Sequence, residues 1–164
     1  DIGSGCGFPG LAYAITHPNS EVYLIDSSRK KTEALKKIID ELDINNKIYI
    51  INDRIENVAH NSEYRNKFDI GTTRAVSSPS TVAEYILPML NKGGSGLLYC
   101  GKWTTDHEDK IKNSLQVLKG SITEIRKTFL PKDKGERNII YIQAKYTCPN
   151  SYPRAIGKAE KNPL

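Results

Sequence analysis

No run of about 18 apolar residues occurs in the sequence, so it offers no helix able to cross a bilayer, and no membrane partner is expected. The opening residues are rich in glycine and acid instead of basic and then apolar, which is not the pattern of a secretory signal. Cysteine is scarce: Cys6, Cys100 and Cys148 are odd in number, far apart and form no C-x-x-C pair. Neither a disulfide framework nor a metal site is expected, and three unpaired thiols suit a reducing cytoplasm. What is present has a globular composition. Hydrophobic residues make up 38% and charged residues 26%, and 164 residues suffice for one buried core. A net charge of +5 with a pI near 9.0 admits an anionic partner without identifying it. Much of the excess lies in RKKTEALKK (29–37) and in 145–164. The first of these reads first as a solvated helix face and second as a phosphate-binding one.

Strand-like and helix-like segments alternate, the mark of an α/β protein with parallel strands. Pro9 and Gly10 open a helix through LAYAIT, and EVYLID (21–26) reads as a buried strand. RKKTEALKKIIDEL (29–42) is a helix whose Leu35, Ile38, Ile39 and Leu42 share one face. KIYIIND (47–53) is a strand followed by a short helix from 55 to about 60, and KFDIGTTRA (67–75) starts as a strand. Pro79 opens a helix that Pro88 must kink or end. A turn at KGG (92–94) leads into the strand SGLLYCG (95–101), and a helix follows over 106–118. SITEIRKTFL and RNIIYIQAK flank the turn-rich PKDKGE and predict a β-hairpin. The proline-containing remainder, 147–164, lacks periodicity and is expected to be loose or to order on contact.

Five βα units closed by a hairpin predict a Rossmann-like, class I S-adenosylmethionine (SAM)-dependent methyltransferase. Its sheet would be seven-stranded and mostly parallel. The domain spans 1–146 and a basic tail spans 147–164. Only Asp1 and Ile2 of the first strand are present, where a central strand needs about five residues, so the chain is expected to be truncated at its N-terminus.

The opening DIGSGCGFPG fits two cofactor loops. From Gly5 it satisfies the dinucleotide fingerprint G-x-G-x-x-G; from Asp1 it gives an acid and a G-x-G-x-G loop, as many SAM sites begin. Pro9 removes one N–H that a pyrophosphate would use at the helix start. The Asp1 carboxylate at the loop entrance suits the ammonium and sulfonium of SAM better than two phosphates. Gly5 lies where the loop passes close to the methionine moiety. Asp26, ending its strand, is placed to accept ribose hydroxyls, or else to cap the helix at 29. Ile55 and Glu56 stand to flank an adenine, or else simply start a helix. A methyl donor is favoured over a dinucleotide. A nicotinamide-dependent oxidoreductase remains the alternative, although neither Tyr-x-x-x-Lys nor a histidine pair is apparent. So does a non-catalytic RNA-binding remnant of the fold.

DIGSGCGFPGL, LIDSSRKKTEAL, NDRIENV, FDIGTTRAVSS, LPMLNKGG and ERNIIYI, in that order and spacing, resemble the glucose-inhibited division protein B family. These are bacterial methyltransferases of guanine N7 in small-subunit ribosomal RNA. The resemblance runs over essentially the whole chain, and YPRAIGKAEKNPL resembles the C-terminal extension of many members. It implies SAM contacts from Gly3, Phe8, Ile55, Glu56 and Arg74, with Asp26 matching the family's acid after the second strand. It implies as partner 16S ribosomal RNA or an assembling small subunit, met by a monomer in the cytoplasm. Two departures stand out: the family's helical N-terminal segment is absent, and YCGKW (99–103) replaces a K-G pair, with Lys102 one step late.

Guanine N7 carries a lone pair and no proton, so no general base is required and no catalytic residue is assigned beyond positioning by Arg74. TTRAVSS accordingly lacks both the [DN]-P-P-[YFW] that grips an exocyclic amine and a Pro-Cys nucleophile. Tyr99, Trp103, Arg74 and Arg154 are candidates to meet an unpaired base. Trp103 reads equally as a half-buried packing residue, and Arg74 as a surface arginine paired with Glu84.

Overall fold

A computed structural model describes residues 1–44, 47–74 and 76–164. In chain order it runs α1 (Gly10–Thr16), β1 (Glu21–Ile25), α2 (Arg29–Leu42), β2 (Lys47–Ile51), α3 (Ile55–Val58) and β3 (Phe68–Arg74). The second half is α4 (Pro79–Ile86), β4 (Leu90–Cys100), α5 (Thr105–Leu118), β5 (Gly120–Phe129), β6 (Glu136–Ala144) and α6 (Lys158–Lys161). The final residue of the strand expected over 67–75, Ala75, lies outside the described residues.

The fold is α/β, but the sheet departs from the expected seven, mostly parallel strands. Among the described residues six strands form two sheets: β1 and β2 are parallel, while the other sheet has the order β3-β4-β6-β5. In the latter β3 and β4 are parallel and β6 is antiparallel to both neighbours. The place between β1 and β3 is held by Ile2 alone, bridged to Ile25 on one side and Thr73 on the other. Its amide donates to the Thr72 carbonyl at 2.8 Å and that of Gly3 to Ile25 at 2.8 Å. A single bridged residue seams two sheets but makes no ladder, and the hairpin adds the antiparallel half.

Successive strand residues face opposite sides, and the core follows. Val22 and Leu24 of β1 pack with Leu11, Ala14 and Leu35 from α1 and α2. Ile2 and Ile25 join the larger core built on α4, α5, β4 and β6. Helices thus cover both faces. The predicted stripe of α2 is only partly buried: Leu35 is 1% exposed, but Ile38 and Leu42 are 37% and 49% exposed. β2 is an edge strand with β1 as its one partner among the described residues, so the end of α2 overhangs it.

One further segment differs from expectation, and another takes the second of its two expected forms. KGG does not separate two elements but lies inside β4, where Phe68 pairs with Leu90 and Ile70 with Ser95, so the turn residues form a bulge. The tail is not loose: Cys148, Pro153 and Ala159 are buried. Arg65 donates to the carbonyls of Cys148, Pro149 and Tyr152 at 2.8–3.0 Å. Thr81 donates to the Ala159 carbonyl at 3.0 Å and Ser114 to Leu164 at 2.9 Å. Side-chain bonds to backbone order this segment without hydrophobic periodicity.

Candidate functional site

In open α/β sheets ligands bind outside the carboxyl ends of strands, and here the glycine loop, the ends of β1 and β2, and Val76 converge there. The Gly3 and Ser4 amides both donate to the Ile25 carbonyl, at 2.8 and 3.0 Å. Gly5 has φ +54°, and a Cβ on it would find nothing nearer than the Gly3 carbonyl at 3.9 Å, so the loop presents bare backbone to open space. Gly10 serves packing instead: a Cβ there would fall 2.5 Å from Leu24, which is why α1 lies so close on β1.

Asp26 is 7% exposed. Its Oδ2 accepts from the Gly5 amide at 3.0 Å and its Oδ1 from the Ser28 amide at 2.9 Å, with Lys31 Nζ at 4.0 Å. It therefore ties the loop to the end of β1 rather than capping α2. Each carboxylate oxygen has roughly two acceptor positions, so Asp26 retains capacity for ribose hydroxyls. Gly3, Asp26 and Ile55 border one hollow of about 70 Å³, whose other walls include Asp53, Arg54 and Val76. That volume holds one end of a nucleoside cofactor and not the whole of it.

The structure does not bring every expected residue to this hollow. Asp1 Oδ1 accepts from the Thr72 hydroxyl at 2.8 Å and Oδ2 from the Gly10 amide at 3.0 Å. The carboxylate expected to face the cations of SAM instead braces α1 against β3. Glu56 is 2% exposed, and its Oε1 accepts from Arg54, Tyr85 and the Gly157 amide at 3.0, 3.2 and 3.0 Å. Burial pushes this carboxyl up, but the hydrogen bonds from Arg54 and Gly157 outweigh it and hold it below its usual range. Glu56 thus anchors the tail, and of the expected adenine-flanking pair Ile55 alone lines the hollow. Burial, with Glu56 beside it, pushes the Tyr85 hydroxyl far above its usual value.

Phe8 is 52% exposed and Arg74 is exposed at the end of β3; neither borders the hollow. Arg74 makes no side-chain ion pair with another described residue, and Glu84 is taken by Arg154. The Arg154 guanidinium donates from Nε at 2.9 and 3.1 Å and from a terminal nitrogen at 2.7 Å, and its amide donates at 2.8 Å. Arg154, expected to meet RNA, is therefore engaged inside the fold. Among residues the sequence reading missed, Asp53 and Arg54 were legible in NDRIENV, whereas Tyr85 and Glu160 reach the hollow only through the packing of α4 and the tail.

Val76 also borders a second cavity, of about 250 Å³, between the ends of β3 and β4 and the start of α5; Thr73, Tyr99, Trp103 and His107 line it. A larger one, about 560 Å³, flanks the starting ends of β1 and β3 at Glu21 and Phe68. It lies at the wrong end of the strands for the loop to serve it, so the two smaller cavities are the candidate site. Among the described residues no helix is long and apolar enough to cross a membrane.

The family GidB, described as rRNA small subunit methyltransferase G, matches residues 1–140. The ribosomal RNA small subunit methyltransferase G of Prochlorococcus marinus (strain MIT 9312) is 65% identical over 164 residues, all of this chain and 69% of that protein. Among solved structures, a SAM-dependent methyltransferase from Methanosarcina mazei aligns with TM-score 0.66 at 15% identity, over 87% of this chain and 90% of its own. An rRNA methylase from Streptococcus thermophilus aligns with TM-score 0.63 at 17% identity, over 88% of this chain and 85% of its own. At those identities the two structures speak for the fold alone.

Proposed function

The chain belongs to the GidB family, the rRNA small subunit methyltransferases G, and from that premise we propose that it transfers a methyl group from SAM to N7 of a guanine in 16S ribosomal RNA. The observation that carries this reading is the Gly5–Asp26 pair. A left-handed glycine turns bare backbone to open space while a buried carboxylate, keeping acceptor capacity, fixes its amide at 3.0 Å. These groups fit a nucleoside-linked cation. Gly3, Gly5 and Asp26 would hold its ribose and methionine portions, Ile55 would lie against adenine, and Phe8 and Arg74 would close the exposed rim.

SAM held by these residues would supply an electrophilic methyl on a sulfonium, which the guanine N7 lone pair could accept, the C–S electron pair staying with sulfur, without loss of a proton. The protein's own part is to position and to exclude water. A dinucleotide fits less well, because the first amides of α1 are already used. The Gly10 amide donates to Asp1 at 3.0 Å and the Leu11 amide to the Gly7 carbonyl, leaving fewer donors for a pyrophosphate.

We assign residues 1–146 as the methyltransferase domain, with 147–164 as a tail braced against it. The partner is 16S ribosomal RNA, free or in an assembling subunit, and the enzyme acts as a cytoplasmic monomer. Titration calorimetry tests the reading: SAM and S-adenosylhomocysteine should bind and NADH should not, and labelled methyl should appear at guanine N7 of small-subunit RNA. Binding of NADH with none of SAM would overturn it.

A further inference from the structure

Five buried side-chain polar atoms have no hydrogen-bond partner among the described residues, and three of them, Thr73 Oγ1, Trp103 Nε1 and His107 Nδ1, belong to residues lining the one cavity of about 250 Å³. Buried polar atoms are nearly always paired, and an unpaired one calls for a reason. Three on residues that line a single hollow point to a ligand that completes them. Thr73 is 3% exposed, at the inner end of β3, so rotation into solvent does not satisfy its hydroxyl. Trp103, just before α5, and His107, in its first turn, stand with ring centroids at 5.6 Å, and Tyr99 supplies another aromatic wall. Val76 borders both this cavity and the Gly3–Asp26 hollow, so an occupant here adjoins the cofactor. The volume lies below the roughly 300–1,000 Å³ of drug-sized sites, which suits one flat ring system with its sugar and phosphate left outside.

We propose that this cavity seats the target guanine after it leaves its stack, with Trp103 Nε1 and Thr73 Oγ1 reading its polar edge. The inference rests on the methyltransferase reading of the adjoining hollow. An indole N–H only donates, so it requires an acceptor, which guanine offers at O6 and adenine, carrying an amino group there, does not. The threonine hydroxyl and the histidine nitrogen donate or accept as needed, and so can meet the guanine N1–H and 2-amino groups. The tryptophan that reads on sequence as packing or stacking thereby acquires an edge-reading role.

The test uses the full chain as parent, Trp103→Phe, Thr73→Val and Thr73→Ser. All should bind SAM with affinities near the parent's. Trp103→Phe and Thr73→Val should each lose about tenfold in kcat/KM for small-subunit RNA, the scale of one hydrogen bond, and Thr73→Ser should recover it. The parent should prefer guanine over 2-aminopurine, which lacks O6, at the methylated position, and Trp103→Phe should lose that preference. Should either Trp103→Phe or, if that variant misfolds, Thr73→Val match the parent in rate and base preference with SAM binding intact, the base seat is overturned and the methyltransferase reading stands. A parent that neither binds SAM nor methylates RNA overturns both.

Discussion

Gly5 and Asp26 act as one unit, because the carboxylate fixes the amide of the residue whose missing side chain leaves the loop open. Valine at position 5 would meet no protein atom in the open direction, yet its φ of +54° costs an L-residue about 1–2 kcal/mol. Gly5→Val should therefore lower stability by that modest amount and abolish the SAM titration signal; a normal signal would place the cofactor elsewhere. Asp26→Asn should weaken SAM by about 1.5–3 kcal/mol, the range for a hydrogen bond to a charged group, because an amide cannot accept at both positions. Calorimetric affinities within twofold of each other would leave Asp26 as a loop brace only. The acids show what a sequence conveys at this scale. Asp1, Asp26 and Glu56 all stand at strand ends and all read as cofactor ligands. Which backbone amides each faces depends on tertiary packing, and Asp1 and Glu56 turn out to spend their oxygens on Thr72, Gly10, Arg54, Tyr85 and Gly157.

Among the elements, those with strong local periodicity or a proline mark were legible in full. The helix predicted over 29–42 is α2 to the residue, and Pro79 opens α4, which ends at Ile86 before Pro88. KGG misled because glycines serve a bulge as well as a turn, and only pairing with β3 distinguishes the two. The tail was illegible because single polar contacts order it, chief among them Arg154 with Glu84. Glu84 is 1% exposed. Arg154→Ala should thus leave a buried charge unpaired and cost about 3–5 kcal/mol in chemical denaturation. Breaking the exposed Lys110–Asp106 pair, with side chains 68% and 67% exposed, should cost under about 1 kcal/mol. Equal effects would mean that the tail does not bear on the core. The Glu56 anchor adds a pH dependence. Its carboxyl titrates lower folded than unfolded, so its contribution is present above the ordinary value of 4.5 and fades as pH falls below it. The protection factor of the Gly157 amide, its exchange rate relative to the intrinsic rate at each pH, should fall on acidification, and Glu56→Gln should remove that response; a variant with unchanged pH dependence would assign it to another group.

For the whole molecule the question is where the net charge of +5 is free to meet a polyanion. Three of the arginines are internally engaged: Arg154 with Glu84, Arg54 with Glu56 and Glu160, and Arg65 with tail carbonyls. Lys36 and Lys37 on α2 and Lys158 on α6 are exposed and make no ion pair with another described residue. They are among the groups able to neutralise phosphates, whereas Arg154 drops out of that set on geometric grounds. Counterion release makes log affinity fall linearly with log salt by about 0.7 per phosphate neutralised on single strands. Replacing Lys36, Lys37 and Lys158 by glutamate should accordingly flatten the slope by about 2, measured by fluorescence anisotropy with a small-subunit RNA fragment. SAM affinity should stay near the parent's, since none of the three borders either site cavity. Reversing Arg154 instead should unsettle the fold rather than change the slope. If the slope is the same in parent and triple variant, α2 and the tail are solvated surface, and RNA is held at the cavity rim, where the exposed Arg74 guanidinium becomes the group to reverse next.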